Sequence, residues 1–306
     1  MNTIKPVGKG EAYAKISFVA GMWGFSFIAS KYAMQQGFGE FTLAFARYVL
    51  VCLIMLPLLA RKEGGLRLPE KRDVPAIFLT GVTGITLYFV CEYLGVMRTT
   101  VANASLVLAA IPVFSIVWGA LRGRRYRLAC WMGVLVSMLG VFLVAYFGAA
   151  QEGGGLNVTV LLGNLLLLGA CLCWSTYIEI SDRLLKRYSS LNLTVWQGVA
   201  GLLALLPLAL YEACADKWRP VPLGGWAAVL FLAAICSALC FFYYAQAIHA
   251  LSTVQVAIFI NLNPVVAVVA GALLLGEGFA PMQMVGGVLI VGSILLVNWG
   301  MAGRGL

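Results

Sequence analysis

The sequence predicts an all-α membrane protein of ten transmembrane helices, arranged as two five-helix repeats of opposite topology. Three observations carry this. Of the 306 residues, 62% are apolar and 11% are charged, and the mean hydropathy is +0.94; an ordinary soluble domain is roughly a quarter charged. The apolar residues gather into ten runs long enough to span a bilayer. The chain also repeats itself at an offset of about 151–152 residues. This composition excludes a soluble enzyme, a disordered chain and a secreted disulfide scaffold. The net charge of +9 sits in short gaps between the runs, so it points to an anionic membrane surface rather than to nucleic acid. The eight cysteines lie almost all inside apolar runs and form no C-x-x-C pair. They read as small buried residues, and no metal site is expected.

A spanning helix needs about 20 mostly apolar residues. The runs lie at roughly 14–35, 40–60, 74–97, 99–121, 128–148, 158–180, 190–211, 223–247, 251–275 and 280–300. The third and fourth nearly touch, as do the eighth and ninth, so tight turns join them. The first run is too long for a cleaved signal peptide, carries Lys31 and lacks an A-x-A site. With the N-terminus placed inside, sixteen of the 21 Lys and Arg fall in inner segments and three in outer ones. The positive-inside rule then puts both termini in the cytoplasm. Trp118, Trp131, Tyr146, Trp218, Trp226 and Trp299 lie near span ends, as interfacial belts or as packing residues.

The repeat pairs Trp23 with Trp174 in spans one and six, and Pro112 with Pro264 in spans four and nine. The run T-V-A-N-A-S-L-V-L-A-A-I-P-V (100–113) matches S-T-V-Q-V-A-I-F-I-N-L-N-P-V (252–265). Gly133 and Gly140 correspond to Gly286 and Gly292 with a slip of one residue. Five spans per half is an odd number, so the second half enters the membrane in the opposite sense. The halves are expected at 1–148 and 158–306, joined by an extracytoplasmic glycine-rich linker at 149–157. Inverted repeats place a substrate site near the midplane, where rocking of the halves opens it to alternate sides.

These residues resemble the EamA-type branch of the drug/metabolite transporter superfamily over about 13–300. The resemblance is carried by M-W-G-F-S-F-I-A-S-K (22–31), C-W-S-T-Y (173–177), Arg47, the polar approaches to Pro112 and Pro264, and L-L-L-G-E (273–277). It implies ten helices, with spans one to four and six to nine around a central cavity and spans five and ten at the periphery. It implies transport of amino acids, other small metabolites, nucleotide sugars, choline or drugs. Where the second half has Gly276-Glu277, the first has Arg124-Arg125. That departure favours a turn or interface role for Glu277 over a transporting one.

Ionisable residues at membrane depth are costly and face protein or water. Glu179 lies four residues before Arg183, the favourable order for a helical ion pair, and the alternative is a proton site. Lys31, Arg47 and Glu92 have no opposite charge three or four residues away. Counting inward from the outer ends places all three roughly 8–10 Å deep, on three helices of one half. They are expected to meet. One reading is a buried Glu92–Arg47 ion pair with Lys31 snorkelling outward. The other is a zwitterion site, with Glu92 facing an ammonium and Arg47 or Lys31 a carboxylate. Glu92 is also a candidate proton carrier. Near the repeat offset, the second half has Tyr244, Gln197 and Asp182 in their places.

Trp23, Trp174 and Tyr177 are expected to line the cavity, with Tyr88, Tyr93, Tyr244 and Gln246 able to bond a ligand or another helix. Asn103, Asn261 and Asn263 precede the prolines and read as ligand-binding or as caps for carbonyls that proline frees. Pro112 and Pro264 are the expected hinges. Gly21, Gly24, Gly81, Gly84, Gly198 and Gly201 read as close-packing positions. His249, the single histidine, reads as a capping or interface residue, or as a pH sensor. Sequons at Asn103, Asn157 and Asn192 decide nothing. No phosphate loop, nucleophile elbow or H-E-x-x-H occurs, so an ATP-driven pump is excluded on this chain and no cofactor is expected.

The expected function is therefore secondary transport, not enzymatic. The chain is expected to export a small polar or zwitterionic metabolite, first of all an amino acid, by alternating access in a bacterial plasma membrane. Protons are a candidate coupling ion, and the protein is expected as monomer or homodimer. The rival within transport is an organic-cation carrier holding a quaternary ammonium on Glu92 and aromatics. The rival of another class is a non-transporting scaffold or a lipid scramblase.

Overall fold

The computed structural model describes residues 8–151, 157–215, 220–251, 262–278 and 280–302. Apolar runs with no water to solvate the backbone must satisfy it internally, and all regular structure among the described residues is helical. Helix α1 is Lys9–Gln35, α2 Glu40–Glu63, α3 Val74–Gly81, α4 Tyr88–Val96, α5 Val101–Leu108, α6 Ile111–Leu121 and α7 Leu128–Gln151. They are followed by α8 Val158–Leu184, α9 Ser190–Cys214, α10 Leu223–Phe231, α11 Cys240–Ala250, α12 Leu262–Leu275 and α13 Pro281–Ala302. Among the described residues, seven helical spans are long and apolar enough to cross a membrane, among them Val74–Val96, Val101–Leu121 and Leu223–Tyr244. Three shorter apolar helices, Leu128–Val144, Leu262–Leu275 and Pro281–Ser293, fall where the fifth, ninth and tenth runs lie. The protein is a multi-pass all-α membrane protein.

Two expectations need correcting. The third and eighth spans are not uniform: π-helical turns occupy Val82–Leu87 between α3 and α4, and Leu232–Leu239 between α10 and α11. The extra residue per turn leaves carbonyls poorly used, and Trp23 Nε1–H donates to one of them, Cys236 O, at 3.0 Å. The fourth span is two helices rather than one kinked helix. It breaks at Ala109–Ala110, and Pro112 stands in the first turn of α6, where its missing N–H costs nothing. Pro264 lies within α12, whose described part begins at Leu262.

Residues 152–156, Trp218, Asn261, most of the ninth span before α12, and the side chain of His249 lie outside the described residues. The helix of span five runs on to Gln151, into the stretch expected as linker.

Contacts recur in matched form before and after the linker. A Cβ on Gly140 would lie 2.6 Å from Gly286 O, and one on Gly286 would lie 2.7 Å from Gly140 O. Helices α7 and α13 thus meet backbone to backbone. Gly140 and Gly286 belong to the glycine sets that correspond across the repeat, and among the described residues nothing lies within 4 Å of a Cβ on Gly292. A Cβ on Gly24 of α1 would lie 2.8 Å from Asn263 O, and Ser175 Oγ of α8 donates to Ile111 O at 3.2 Å, so each helix meets the residue before a proline. Helices α2 and α9 run antiparallel, and each end is capped by an acid of the other. Glu212 Oε2 accepts from Thr42 N at 2.7 Å and Thr42 Oγ1 at 2.8 Å, while Ser189 Oγ donates to Glu63. Close packing is real at Gly81, Gly84 and Gly201 as well, but nothing lies near Gly21.

Candidate functional site

The site is built on α2, α4, α8, α9 and the two π-helical turns. Arg47 of α2 is 3% exposed. Its Nε donates to Ser237 Oγ at 2.9 Å and its Nη1 to Tyr93 Oη at 2.9 Å. The guanidinium lies 4.5 Å above the Phe89 ring. All of these partners are neutral. Glu92 of α4 is also 3% exposed and sits beside Tyr88, one turn back on its own helix, within electrostatic range of Arg47. The ion pairs among the described residues include neither Arg47 nor Glu92. The expected Glu92–Arg47 ion pair is therefore not closed at contact distance. Arg47 points along the Phe89–Tyr93 face of α4, and Glu92 along the Tyr88 face.

Lys31 does not join them. Its Nζ donates to Glu277 Oε1 at 2.8 Å and to Thr99 O at 3.1 Å. Glu277 Oε2 in turn accepts from Val101 N at 2.8 Å, capping the start of α5. The expected meeting of the three charges is not seen, because Lys31 bonds Glu277 and Thr99 instead.

The aromatic residues do converge. Tyr88 and Trp174 have ring centroids 4.8 Å apart, Trp174 and Tyr177 5.0 Å, Tyr88 and Phe89 5.1 Å. Trp23 packs on Tyr244 at 5.5 Å and on Phe241 at 5.8 Å. A cavity of about 20 Å³, room for one water, remains between Tyr48, Gly84, Trp174, Tyr177, Gln197 and Phe241. The centre is closed around its aromatics in this conformation. A larger crevice of about 370 Å³ between α1, α10 and α12 is lined by Phe25, Ile28, Tyr32, Phe231 and Leu275. It is apolar, contains no charge and is separate from the central residues.

Four more expected site residues have surroundings of their own. Asn103, 1% exposed, donates to Thr99 Oγ1 at 2.8 Å and to Asn164, and accepts from Gln283 at 3.2 Å. It ties α5 to α8 and α13 and is used up as a structural group. Gln246 accepts from Lys15 Nζ at 2.6 Å near the start of α1. The Asn263 carbonyl faces Gly24, and its side-chain oxygen is buried with no hydrogen-bond partner among the described residues. Tyr244 stands behind Trp23.

Gln197, Ser237, Tyr48, Phe89 and Phe241 were not singled out as site residues from the sequence. Gln197 accepts from Tyr177 Oη at 3.2 Å and donates to Thr80 Oγ1 at 3.0 Å and Ser181 Oγ at 2.9 Å. No sequence signal distinguishes Ser237 from any other serine in an apolar run. Glu179 pairs with Arg124 at 2.8 Å and, more loosely, with Arg183 at 3.7 Å. Among the described residues no three His, Cys, Asp or Glu side chains converge as a metal site would need.

Outside the membrane-spanning segments, Asp73 anchors the loop before α3. Arg187 Nη1 donates to its Oδ1 at 2.8 Å and Tyr188 Oη to its Oδ2 at 2.9 Å. Desolvation pulls the Asp73 carboxyl upward, but the Tyr188 hydroxyl and the Arg187 guanidinium outweigh it and hold the group below its ordinary value.

The sequence profile of the EamA-like transporter family matches residues 12–146 and again 161–299. The chain is similar to a probable terminal-alkyne amino-acid exporter of Streptantibioticus cattleyicolor, 29% identical over 283 residues, spanning 92% of this chain and 91% of that one. It is similar to an S-adenosylmethionine/S-adenosylhomocysteine transporter of Chlamydia trachomatis, 26% identical over 288 residues and spanning 90% and 86%. An uncharacterised transporter of Bacillus subtilis is 24% identical over 286 residues, spanning 93% and 86%. A crystal structure of a protein 18% identical in sequence shares the fold, with a TM-score of 0.64 over 94% of this chain and 98% of that one. The chain is a multi-pass membrane transporter, not an enzyme, and belongs to the EamA-like transporter family.

Proposed function

We propose that this transporter exports a small zwitterionic metabolite of the amino-acid class through the centre bounded by Arg47, Glu92 and the Tyr88–Trp174–Tyr177 aromatics. One observation carries the reading. A buried cation and a buried carboxylate lie in one region on adjoining helices, and neither is spent on an ion pair at contact distance. A charge in the membrane interior without a close counter-charge is costly and is retained where a ligand supplies it. A zwitterion brings a carboxylate to Arg47 and an ammonium to Glu92 at once. The aromatic walls take its apolar part. The relative named as an amino-acid exporter supports the same class.

Transport proceeds by alternating access between halves at 1–148 and 158–306, joined by residues 149–157. The two separate family matches and the reciprocal Gly140–Gly286 contact support this division. The excess of Lys and Arg in alternate loops supports cytoplasmic termini in a bacterial plasma membrane. Protons serve as the coupling ion, with Glu92 carrying the proton when no ammonium faces it.

The test is counterflow in proteoliposomes with a panel of amino acids, choline-like cations and nucleotide sugars. Amino acids should exchange in the wild type, and Glu92→Gln and Arg47→Gln should each lose exchange. Exchange of cations alone, or undiminished amino-acid exchange in both variants, overturns the reading.

A further inference from the structure

Two ion pairs on opposite sides of the membrane occupy related places with their charges exchanged. On one side Lys31, near the end of α1, meets Glu277, just past α12, at 2.8 Å. On the other side Glu179, near the end of α8, meets Arg124, just past α6, at 2.8 Å. Helices α1 and α8 open the two family matches, and α6 and α12 carry the two prolines. Each pair joins the first span of one match to the end of the fourth span of the other. In the α1 pair the spanning helix supplies the cation. In the α8 pair it supplies the acid.

We propose that Lys31–Glu277 and Arg124–Glu179 are a pair of opposed latches, one across each mouth of the central site, and that only one opens at a time. The inference rests on the two-half, alternating-access reading given above. It is independent of the substrate. Both latches are made in this structure, and the centre between them holds only about 20 Å³. A rocking motion that separates the halves at one mouth presses them together at the other, so breaking one pair holds the other closed. The latches are unequal. Lys31 and Glu277 are 17% and 9% exposed in their side chains, Arg124 and Glu179 52% and 10%. The drier pair is less screened and holds its mouth more firmly.

Each latch can be cut at its cation without stranding the acid. In Lys31→Gln, Glu277 keeps its bond from Val101 N. In Arg124→Gln, Glu179 keeps Arg183 on its own helix.

The experiment is hydrogen exchange of the full-length protein in lipid nanodiscs, compared at the two mouths. The Lys31 mouth is read at 97–104 and 271–278, and the Arg124 mouth at 119–127 and 176–184. Lys31→Gln should speed exchange at its own mouth by about tenfold and slow it at the Arg124 mouth. Arg124→Gln should do the reverse, with about a threefold change. The exchanged pair, Arg124→Glu with Glu179→Arg, should restore the wild-type pattern, and it keeps the proposal testable if a single variant does not fold. Faster exchange confined to the mutated mouth, with the opposite mouth unmoved, makes the pairs ordinary packing contacts and overturns the proposal. So does an exchanged pair that behaves like Arg124→Gln. Failure of the substrate reading would show instead in counterflow, with these exchange patterns intact.

Discussion

Arg47 on α2 and Gln197 on α9 sit at corresponding places in the two halves of the chain, and their surroundings use them differently. Gln197 meets Thr80, Ser181 and Tyr177, a neutral group among neutral partners with its side-chain oxygen and nitrogen both engaged. Arg47 also donates to neutral groups, Ser237 and Tyr93, but among the described residues no carboxylate lies at contact distance to balance its charge. Hydrogen bonds satisfy donors without removing the cost of a net charge in low dielectric. On the proposed reading, Gln197 is finished as structure at this level while Arg47 is left for the carboxylate of a substrate.

The comparison can be broken most directly at Arg47. Arg47→Gln keeps a donor for Ser237 and loses the charge, so transport should fall by about a hundredfold while the protein stays folded. Uptake in proteoliposomes and a thermal melt, run together, separate the two effects. Gln197→Leu should do the opposite. It removes the bonds to Thr80, Ser181 and Tyr177, leaves Thr80 Oγ1 its bond to Ile77 O, and should cost about 1–2 kcal/mol of stability, read as a lowered melting temperature, with transport falling less than tenfold.

Gly84 sharpens the contrast from the cavity side. A Cβ there would lie 2.3 Å from Tyr177 Cδ2, so Gly84→Ala must displace the Tyr177 ring from the cavity and from Gln197. Export should fall by about tenfold, with a smaller loss of stability than Gln197→Leu causes, a split visible in the same paired assays.

The smallest effect lies at the loop surface. The Asp73 carboxyl is held below its ordinary value by Tyr188 and Arg187. A carboxylate lowered in the fold contributes stability above the unfolded carboxylate pKa near 4, and the contribution fades as pH falls through the lower, folded value. Asp73→Asn should therefore change the melting temperature slightly at pH 7 and not at all well below pH 3, as a melting series in pH would report.

The spans were legible because long apolar runs have no other use, and Arg47 and Glu92 stood out because charge inside such a run is rare. Depth could be counted along each helix. The face could not. Helices that are apolar nearly all round carry no clear stripe to orient them, so the sequence did not point Lys31 to Glu277, its partner 246 residues on. Asn103 illustrates the same limit, since its partners Asn164 and Gln283 lie on helices far along the chain. The π-helical turns left no mark in residue type, because Val82–Leu87 reads like any other apolar helix. The backbone approach of Gly140 to Gly286 has no sequence signal of its own, because glycines recur every few residues in these spans.

The most direct test of the account is counterflow of a radiolabelled neutral amino acid in proteoliposomes bearing the wild type, Arg47→Gln or Gln197→Leu. The account predicts exchange in the wild type, near-complete loss in Arg47→Gln and retention in Gln197→Leu. Equal exchange by the two variants would contradict it, because the uncompensated charge of the first half would then have no part in holding the substrate.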